Sequence, residues 1–224
     1  MSDIKQNIET FKNKLPENVT LVAVSKTKPL EDIREAYDSG HRVFGENKAQ
    51  ELKDKQPELP DDIQWHFIGH MQTNKVKYIA PFVSLIHSVD RFKVLKEINK
   101  QAQKNDRVIP CLLQFHIAEE DTKFGFDWAE VKEMLDSEAY QNLTNIRIDG
   151  VMAMATFTQD TEQIRREFRQ LKSFFDRLQS DYFSESAHFK EISMGMTNDY
   201  QIAIEEGSTM LRIGSALFGA RNYT

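Results

Sequence analysis

The sequence contains one cysteine, Cys111, in 224 residues. A single cysteine cannot form an internal disulfide or a cysteine-based metal cluster, which excludes a disulfide-stabilised secreted domain. No apolar run approaches the roughly 20 residues that a membrane-spanning helix needs. The chain also does not open with the basic and then apolar residues of a secretory signal. We therefore expect a cytoplasmic protein without a membrane partner.

Basic residues are fewer than acidic ones: the sequence has 29 Lys and Arg against 35 Asp and Glu, which gives a net charge of -6. A nucleic-acid partner is not expected, because phosphate backbones require a basic surface. No exposed apolar stripe is evident, which predicts a monomer. Four histidines, His66, His70, His87 and His116, lack the short fixed spacing of a zinc site, so we expect no metal. His66 and His87 follow apolar strand residues and are interpreted as hydrogen-bonded core residues rather than as bases.

The hydrophobic pattern alternates between short strand-like runs and helical repeats. The predicted strands are Thr20–Ser25, Arg42–Gly45, Gln64–Ile68, Leu85–Ser88, Val108–His116, Ile148–Ala153, Phe189–Ser193 and Met210–Ile213. The predicted helices between them are Leu30–Ser39, Glu46–Lys55, Asn74–Ala80, Arg91–Asn105, Trp128–Ser137, Thr161–Asp181 and Asn198–Glu206. Such alternation favours parallel strands joined by crossover helices.

Eight such units predict an α/β fold, a single (β/α)8 TIM barrel over residues 1–224. An extra N-terminal helix is predicted over Ser2–Lys14, where Ile4, Ile8 and Phe11 recur at helical spacing. The chain is slightly shorter than the roughly 250 residues of a typical barrel. An open doubly wound sheet is the alternative. No Gly/Ser-rich or Pro-rich linker suggests a second domain.

A lysine follows the first predicted strand. Active sites of such barrels lie at the carboxyl ends of the strands, and the first strand ends Val24-Ser25-Lys26. A lysine that follows an apolar run is partly desolvated, which lowers its pKa and makes its amine a better nucleophile toward a carbonyl. A solvated loop lysine is the alternative interpretation of Lys26.

The second predicted strand is followed by Glu46 and Asn47. The Asn47 amide could donate a hydrogen bond to a ring substituent of a ligand, or accept one from it. Alternatively, either residue caps the next helix, and Glu46 is preferred as a helix-start residue favoured by the helix dipole.

The last two predicted strands are followed by small and hydroxyl-bearing residues. In barrels the loops after strands seven and eight often form a phosphate site, because small residues let backbone N–H groups approach the anion. The residues that meet this description are Ser193, Gly195, Thr197, Gly214 and Ser215. Two ordinary tight turns are the alternative.

These features combine because the first and eighth strands of a barrel are neighbours. An amine at Lys26 and a phosphate site after the last strands would then share one rim. Pyridoxal 5′-phosphate (PLP) carries an aldehyde and a phosphate on one small ring. Arg212, at the end of the eighth strand, would lie beside the pyridine nitrogen and keep it largely unprotonated, which weakens the ring as an electron sink. The residues therefore predict PLP binding with modest catalytic power.

At these same residues the sequence resembles the pyridoxal phosphate homeostasis protein family, also called the PLP-binding protein family. The matching motifs run in order from near residue 20 to the C-terminus. They are Ala23-Val24-Ser25-Lys26-Thr27-Lys28-Pro29, Phe44-Gly45-Glu46-Asn47, Trp65-His66-Phe67-Ile68-Gly69 with Gln72, Asn74 and Lys75, Ser193-Met194-Gly195-Met196, and Gly207-Ser208-Thr209 leading to Arg212-Ile213-Gly214 and Phe218-Gly219.

The resemblance implies a barrel similar to the N-terminal domain of alanine racemase. It implies that Lys26 forms a Schiff base with PLP and that Asn47 lies near the ring. Arg212 would face the pyridine nitrogen, and the phosphate contacts would be Ser193, Thr197, Gly214 and Ser215. It further implies a role in intracellular PLP supply and amino- and keto-acid balance, without an established reaction. PLP-dependent apo-enzymes are then candidate recipients of the cofactor.

Two enzymatic functions are the alternatives. A PLP-dependent amino-acid racemase needs acid/base groups on both faces of the substrate carbanion. In the racemase fold one of these groups is a tyrosine from a second domain, which we do not expect here, because eleven residues follow Ile213 in this sequence. A sugar-phosphate isomerase would share the phosphate site but needs a carboxylate base, for which Glu46 is the candidate. We therefore expect a carrier with no catalytic residues.

Overall fold

The computed structural model describes residues 3–119 and 124–219, and these form a closed barrel in which neighbouring strands run parallel in the order β1 to β8. The strands are β1 (Thr20–Val24), β2 (Val43–Glu46), β3 (Gln64–Phe67), β4 (Leu85–Val89), β5 (Ile109–Gln114), β6 (Ile146–Met152), β7 (Glu191–Ser193) and β8 (Met210–Ile213). The predicted (β/α)8 TIM barrel is confirmed, and the open doubly wound sheet is excluded, because β1 pairs with β8.

Helices surround this barrel. They are α1 (Ile4–Lys12), α2 (Leu30–Asp38), α3 (Ala49–Lys55), α4 (Val76–Ile79), α5 (Phe92–Lys104), α6 (Trp128–Asp136), α7 (Glu138–Gln141), α8 (Thr161–Asp181), α9 (Tyr200–Glu205) and α10 (Ser215–Phe218). The predicted extra N-terminal helix is α1, which buries Ile4, Ile8 and Phe11. No helix in the described part of the chain combines the length and the apolar character needed to cross a membrane.

The second strand ends one residue later than the sequence pattern predicts. Glu46 pairs with Phe67 of β3, so it is the last residue of β2 and does not begin a helix. α3 begins only at Ala49, after Lys48 in extended conformation. The preferred role of Glu46 as a helix-start residue is therefore wrong, because strand pairing holds its backbone extended.

Two layers of side chains form the core. The larger layer packs the outer face of the barrel against the helices and includes Leu21, Ala23, Phe44 and Phe168. A smaller apolar cluster of Leu85, Leu112, Met152 and Met210 belongs to four different strands. Alternation along parallel strands explains the two sets, since successive side chains point to opposite faces.

Candidate cofactor site

The carboxyl end of β1 carries Lys26, which is half-buried two residues beyond the last strand residue, Val24. The neighbouring strand β8 ends at Ile213, which is paired with Ala23. Gly214 follows, and a Cβ atom built on it would lie 3.4 Å from the carbonyl oxygen of Val24. The end of β8 therefore lies directly beside the segment that carries Lys26.

Two hydroxyl groups meet at this rim. The Ser215 Oγ, in the first residue of α10, donates a hydrogen bond of 3.3 Å to the Thr197 Oγ1 in the loop after β7. That loop turns at Gly195, whose φ is +96° and whose missing Cβ would lie 2.6 Å from the Ala203 Cβ. Only glycine fits both the left-handed conformation and the close contact.

Asn47 lies half-buried after β2 on the same rim. Gly69, after β3, packs so closely on it that an added Cβ would lie 2.1 Å from the Asn47 carbonyl oxygen. Together with His70, Gln72 and Lys75, Asn47 lines a cavity of about 250 Å³. The second and third strand ends are thus held together around Asn47.

Arg212 lies inside the barrel on β8 and is 5% exposed. Its Nη1 donates to the Ser193 Oγ at 2.6 Å and to the Ser193 carbonyl oxygen at 2.8 Å. Its Nη2 donates to the Ala153 carbonyl oxygen at 2.9 Å. Burial lowers the pKa of the guanidinium to about 10, so the group remains positively charged at neutral pH. The side chain is thus a fixed cation with three hydrogen bonds.

A chain of hydrogen bonds continues from Ser193 across the barrel. The His87 Nδ1 lies 2.8 Å from the Ser193 Oγ, and the His87 Nε2 lies 2.9 Å from the His66 Nδ1. Because Arg212 donates to Ser193, the Ser193 hydroxyl can donate its own proton to His87 Nδ1, and His87 Nε2–H can then donate to His66. This polarity gives each of these bonds one donor and one acceptor.

The two histidines that form these hydrogen bonds, His66 and His87, are neutral at neutral pH. Burial lowers the pKa of His66 to about 3 and the pKa of His87 well below its usual value, the latter also through the nearby His66 and Arg212. The interpretation of His66 and His87 as hydrogen-bonded core residues agrees with these contacts. Among residues 3–119 and 124–219, no group of three His, Cys, Asp or Glu side chains is arranged to hold a metal.

The site residues predicted from the sequence therefore lie in two places, the rim of the barrel and its interior. Lys26, Asn47, Thr197, Gly214 and Ser215 follow the carboxyl ends of their strands. The Ser193 and Arg212 side chains are buried inside the barrel. The phosphate contact expected of Ser193 stays a prediction, and its hydroxyl already bonds to Arg212 and His87.

Sequence reasoning missed that His87 and Ser193 are partners. Each follows an apolar residue within its strand, but nothing in the local pattern indicates that the two side chains are in contact. The pair lies 106 residues apart along the chain. A histidine and a serine can be matched over that separation only when the barrel is closed.

Glu46 does not face a ligand at the rim. Its carboxylate is fully buried, accepts a hydrogen bond from the Ser25 hydroxyl at 2.7 Å and pairs with the Lys55 ammonium at 2.8 Å. A carboxylate base must reach a substrate carbon, and this one is enclosed by its partners. The arrangement gives no support to a sugar-phosphate isomerase that uses Glu46.

The rim suits a ligand that carries an aldehyde, a phosphate and an aromatic nitrogen. Lys26 supplies an amine, and Thr197 and Ser215 bring two hydroxyl donors together. Arg212 supplies a buried positive charge. Lys28, the other lysine after β1, has its Nζ 2.7 Å from the Phe218 carbonyl oxygen. These groups fit PLP.

Comparison with known proteins agrees with the barrel fold and with PLP as the ligand that fits the rim. The profile of the family described as alanine racemase, N-terminal domain, matches residues 1–222. A pyridoxal phosphate homeostasis protein of Aquifex aeolicus is 43% identical over 204 residues, which cover 91% of this chain and 87% of that protein. A protein of the same name from Escherichia coli K12 is 36% identical and covers 100% of this chain and 99% of its own length.

Solved structures are similar over nearly the whole chain. PipY of Synechococcus elongatus PCC7942, solved without PLP, has a TM-score of 0.90 and 34% identity and covers 96% of this chain and 100% of its own. PipY solved with PLP bound has a TM-score of 0.87, 33% identity and the same coverage. An alanine racemase of Clostridium difficile 630 shares the fold at 14% identity and a TM-score of 0.78, covering 98% of this chain and 60% of its own.

Proposed function

The chain belongs to the pyridoxal phosphate homeostasis protein family, and on that premise we propose that it binds PLP as a Schiff base on Lys26. The supporting observation is that β1 and β8 are paired, with Gly214 beside Val24. An amine and a phosphate site at the ends of adjacent strands suit the aldehyde and the phosphate of one small molecule. PipY, whose fold the chain shares, has been solved with PLP bound.

Each residue of the site has a proposed role. Lys26 provides the amine, while Thr197, Gly214 and Ser215 bind the phosphate through hydroxyl and backbone donors. Asn47 contacts a ring substituent. Arg212 faces the pyridine nitrogen and, as a cation held by Ser193 and Ala153, keeps that nitrogen from accepting a proton. When bound, PLP supplies an electrophilic aldehyde and an aromatic ring that can withdraw electrons.

We propose further that the protein is a carrier of PLP rather than a catalyst. The relatives carry the name of homeostasis proteins and not of enzymes. Arg212 beside the ring nitrogen would weaken the electron sink that racemisation requires. PLP-dependent apo-enzymes are the proposed recipients, which would link the protein to amino- and keto-acid balance. Conversion of L-alanine to its D enantiomer at ordinary enzyme rates would contradict the carrier proposal.

Lys26→Ala tests the attachment. The protein is incubated with PLP and reduced with borohydride, and the product is analysed by intact mass and peptide mapping. We expect one label on the peptide that contains Lys26 and its loss in Lys26→Ala, because the amine is the only atom of that side chain that can form the bond.

Lys28→Ala is the matched control for that experiment. Lys28 lies two residues away, and its ammonium donates to the Phe218 carbonyl, so the label is expected to remain on Lys26. Full labelling of Lys26→Ala, or a wild-type label that maps to Lys28, would show that the assignment is wrong.

A further inference from the structure

A largely buried ion cluster lies beside the turn that carries Lys26. It consists of Lys55 and Glu51 on α3 and Glu46 on β2. The Lys55 Nζ donates to the Glu46 Oε1 at 2.8 Å, to the Glu51 Oε1 at 2.7 Å and to the Ser25 carbonyl oxygen at 2.9 Å. These three bonds use all three protons of an ammonium group.

The cluster contacts the residues on both sides of Lys26. Ser25 is bound twice, through its carbonyl oxygen by Lys55 and through its hydroxyl by Glu46. On the other side, the Thr27 backbone N–H donates to the Glu51 Oε1 at 2.6 Å. The same ion cluster therefore fixes the backbone immediately before and after Lys26.

The backbone conformation of Thr27 requires stabilising contacts from the surrounding structure. Its φ is +62°, in the left-handed region that a β-branched residue rarely adopts. Such a conformation costs free energy and persists only where the surrounding contacts impose it. The bond from Thr27 N–H to Glu51 is a contact of that kind.

The cluster has no direct role toward a ligand at the rim. Lys55 is buried, and its donors are occupied, so its amine is not available to an aldehyde. Glu46 is fully buried, and its Oε2 has no hydrogen-bond partner among the described residues. Three ionisable groups thus lie beside the proposed attachment point without contributing an atom to it.

We propose that Lys55 is a positioning residue for Lys26, acting with Glu46 and Glu51. The inference rests on the proposed Schiff base at Lys26. In that reaction the neutral Lys26 amine, having lost a proton to solvent, forms a C=N bond to the aldehyde carbon, and the aldehyde oxygen leaves as water. The ion cluster fixes the Ser25–Thr27 backbone so that the Lys26 amine is directed at the aldehyde carbon of PLP. This raises the rate at which the C=N bond forms.

Lys55→Met tests the role, with Lys53→Met as the matched control on the exposed face of the same helix. The rate of borohydride-reducible labelling by PLP is measured together with the affinity for pyridoxine 5′-phosphate, which lacks the aldehyde. We expect labelling of Lys55→Met to slow by about tenfold, because small misplacements of a reacting group cost that much or more. Affinity for pyridoxine 5′-phosphate should stay at the wild-type value, and Lys53→Met should match wild type in both measurements.

A second variant decides the matter if Lys55→Met does not fold. Glu51→Ala removes the acceptor of Thr27 N–H at a side chain that is 20% exposed, and it should also slow labelling without changing the affinity for pyridoxine 5′-phosphate. Wild-type labelling rates in the folded variants would overturn the positioning role, as would a loss of affinity for pyridoxine 5′-phosphate as large as the loss of labelling rate. Absence of label on wild-type Lys26 would instead contradict the proposed function itself.

Discussion

The guanidinium of Arg212 combines a positive charge with nearly complete burial. A buried charge is tolerated only when hydrogen bonds replace its hydration, and here one serine and two carbonyl oxygens do so. The planar fork of arginine lets Nη1 reach Ser193, the last residue of β7, and Nη2 reach Ala153, directly after β6. These contacts fix the guanidinium in one orientation, in which we propose that it faces the pyridine nitrogen of PLP.

Substitution of Arg212 tests this at the scale of one residue. Arg212→Ala should speed PLP dissociation by about tenfold or more, since loss of a charged hydrogen bond costs about 1.5–3 kcal/mol. Arg212→Lys keeps the charge but not the fork, so we expect an intermediate rate. The dissociation rate is measured as the rate at which an added apo-enzyme traps the released PLP. The Schiff base should still form in both variants. Unchanged dissociation in Arg212→Ala would argue against a contact with the pyridine nitrogen.

The pairing of β6 with β7 depends on a single glycine. Gly150 is paired with Glu191, next to a register shift between β5 and β6. A Cβ atom on Gly150 would lie 1.8 Å from the Glu191 carbonyl oxygen, which is far inside van der Waals contact. The β7 strand leads to Ser193, so the close approach at Gly150 helps to place the hydrogen-bond chain of the interior.

Gly150→Ala should therefore destabilise the barrel by about 3 kcal/mol or more, because the clash involves backbone atoms that cannot rotate away. Gly40→Ala is the matched control. Gly40 has a φ of +85° and nothing within 4 Å of its added Cβ, so only backbone strain of about 1–2 kcal/mol is expected. Urea denaturation of the two variants measures both values. Equal destabilisation would show that the contact with Glu191 is not the cause.

At the scale of elements, the sequence pattern predicted which segments are strands and helices better than it predicted their ends. The β2 strand gains Glu46 through pairing with Phe67, and α3 begins correspondingly later. The predicted helix Asn74–Ala80 is divided into a 3₁₀ turn at Thr73–Lys75 and α4. These limits depend on hydrogen bonds to neighbouring segments, to which a local pattern is insensitive.

Across the whole molecule, three buried histidines make stability depend on pH. Burial lowers the pKa of His41 to about 4 and that of His66 to about 3, and the pKa of His87 is also lowered. In the unfolded chain these groups titrate near 6.5. Below that pH the unfolded state binds more protons than the folded state, so stability is full above about pH 6.5 and is lost as the pH falls.

His41→Gln measures one part of this dependence. With a pKa of about 4 in the folded state, His41 should account for about 2 kcal/mol of the stability lost between pH 7 and pH 5. Urea denaturation at the two pH values should show a correspondingly smaller loss in His41→Gln. The exposed His188→Gln variant is the control and should keep the wild-type difference. An unchanged pH dependence in His41→Gln would exclude burial of a neutral His41 as a cause.

The amino-acid sequence by itself determined the barrel and the rim on which the proposed site lies. Eight strand–helix units dictate parallel strands, and parallel strands bring all their carboxyl ends to one side, which placed Lys26, Asn47, Thr197, Gly214 and Ser215 together. Tertiary structure alone decided which polar side chains are partners. Ser193 bonds to His87 across 106 residues, and Glu46 pairs with Lys55 beside the turn that carries Lys26. The first contact depends on a distance across the closed barrel and the second on how α3 packs against β2, and local periodicity encodes neither.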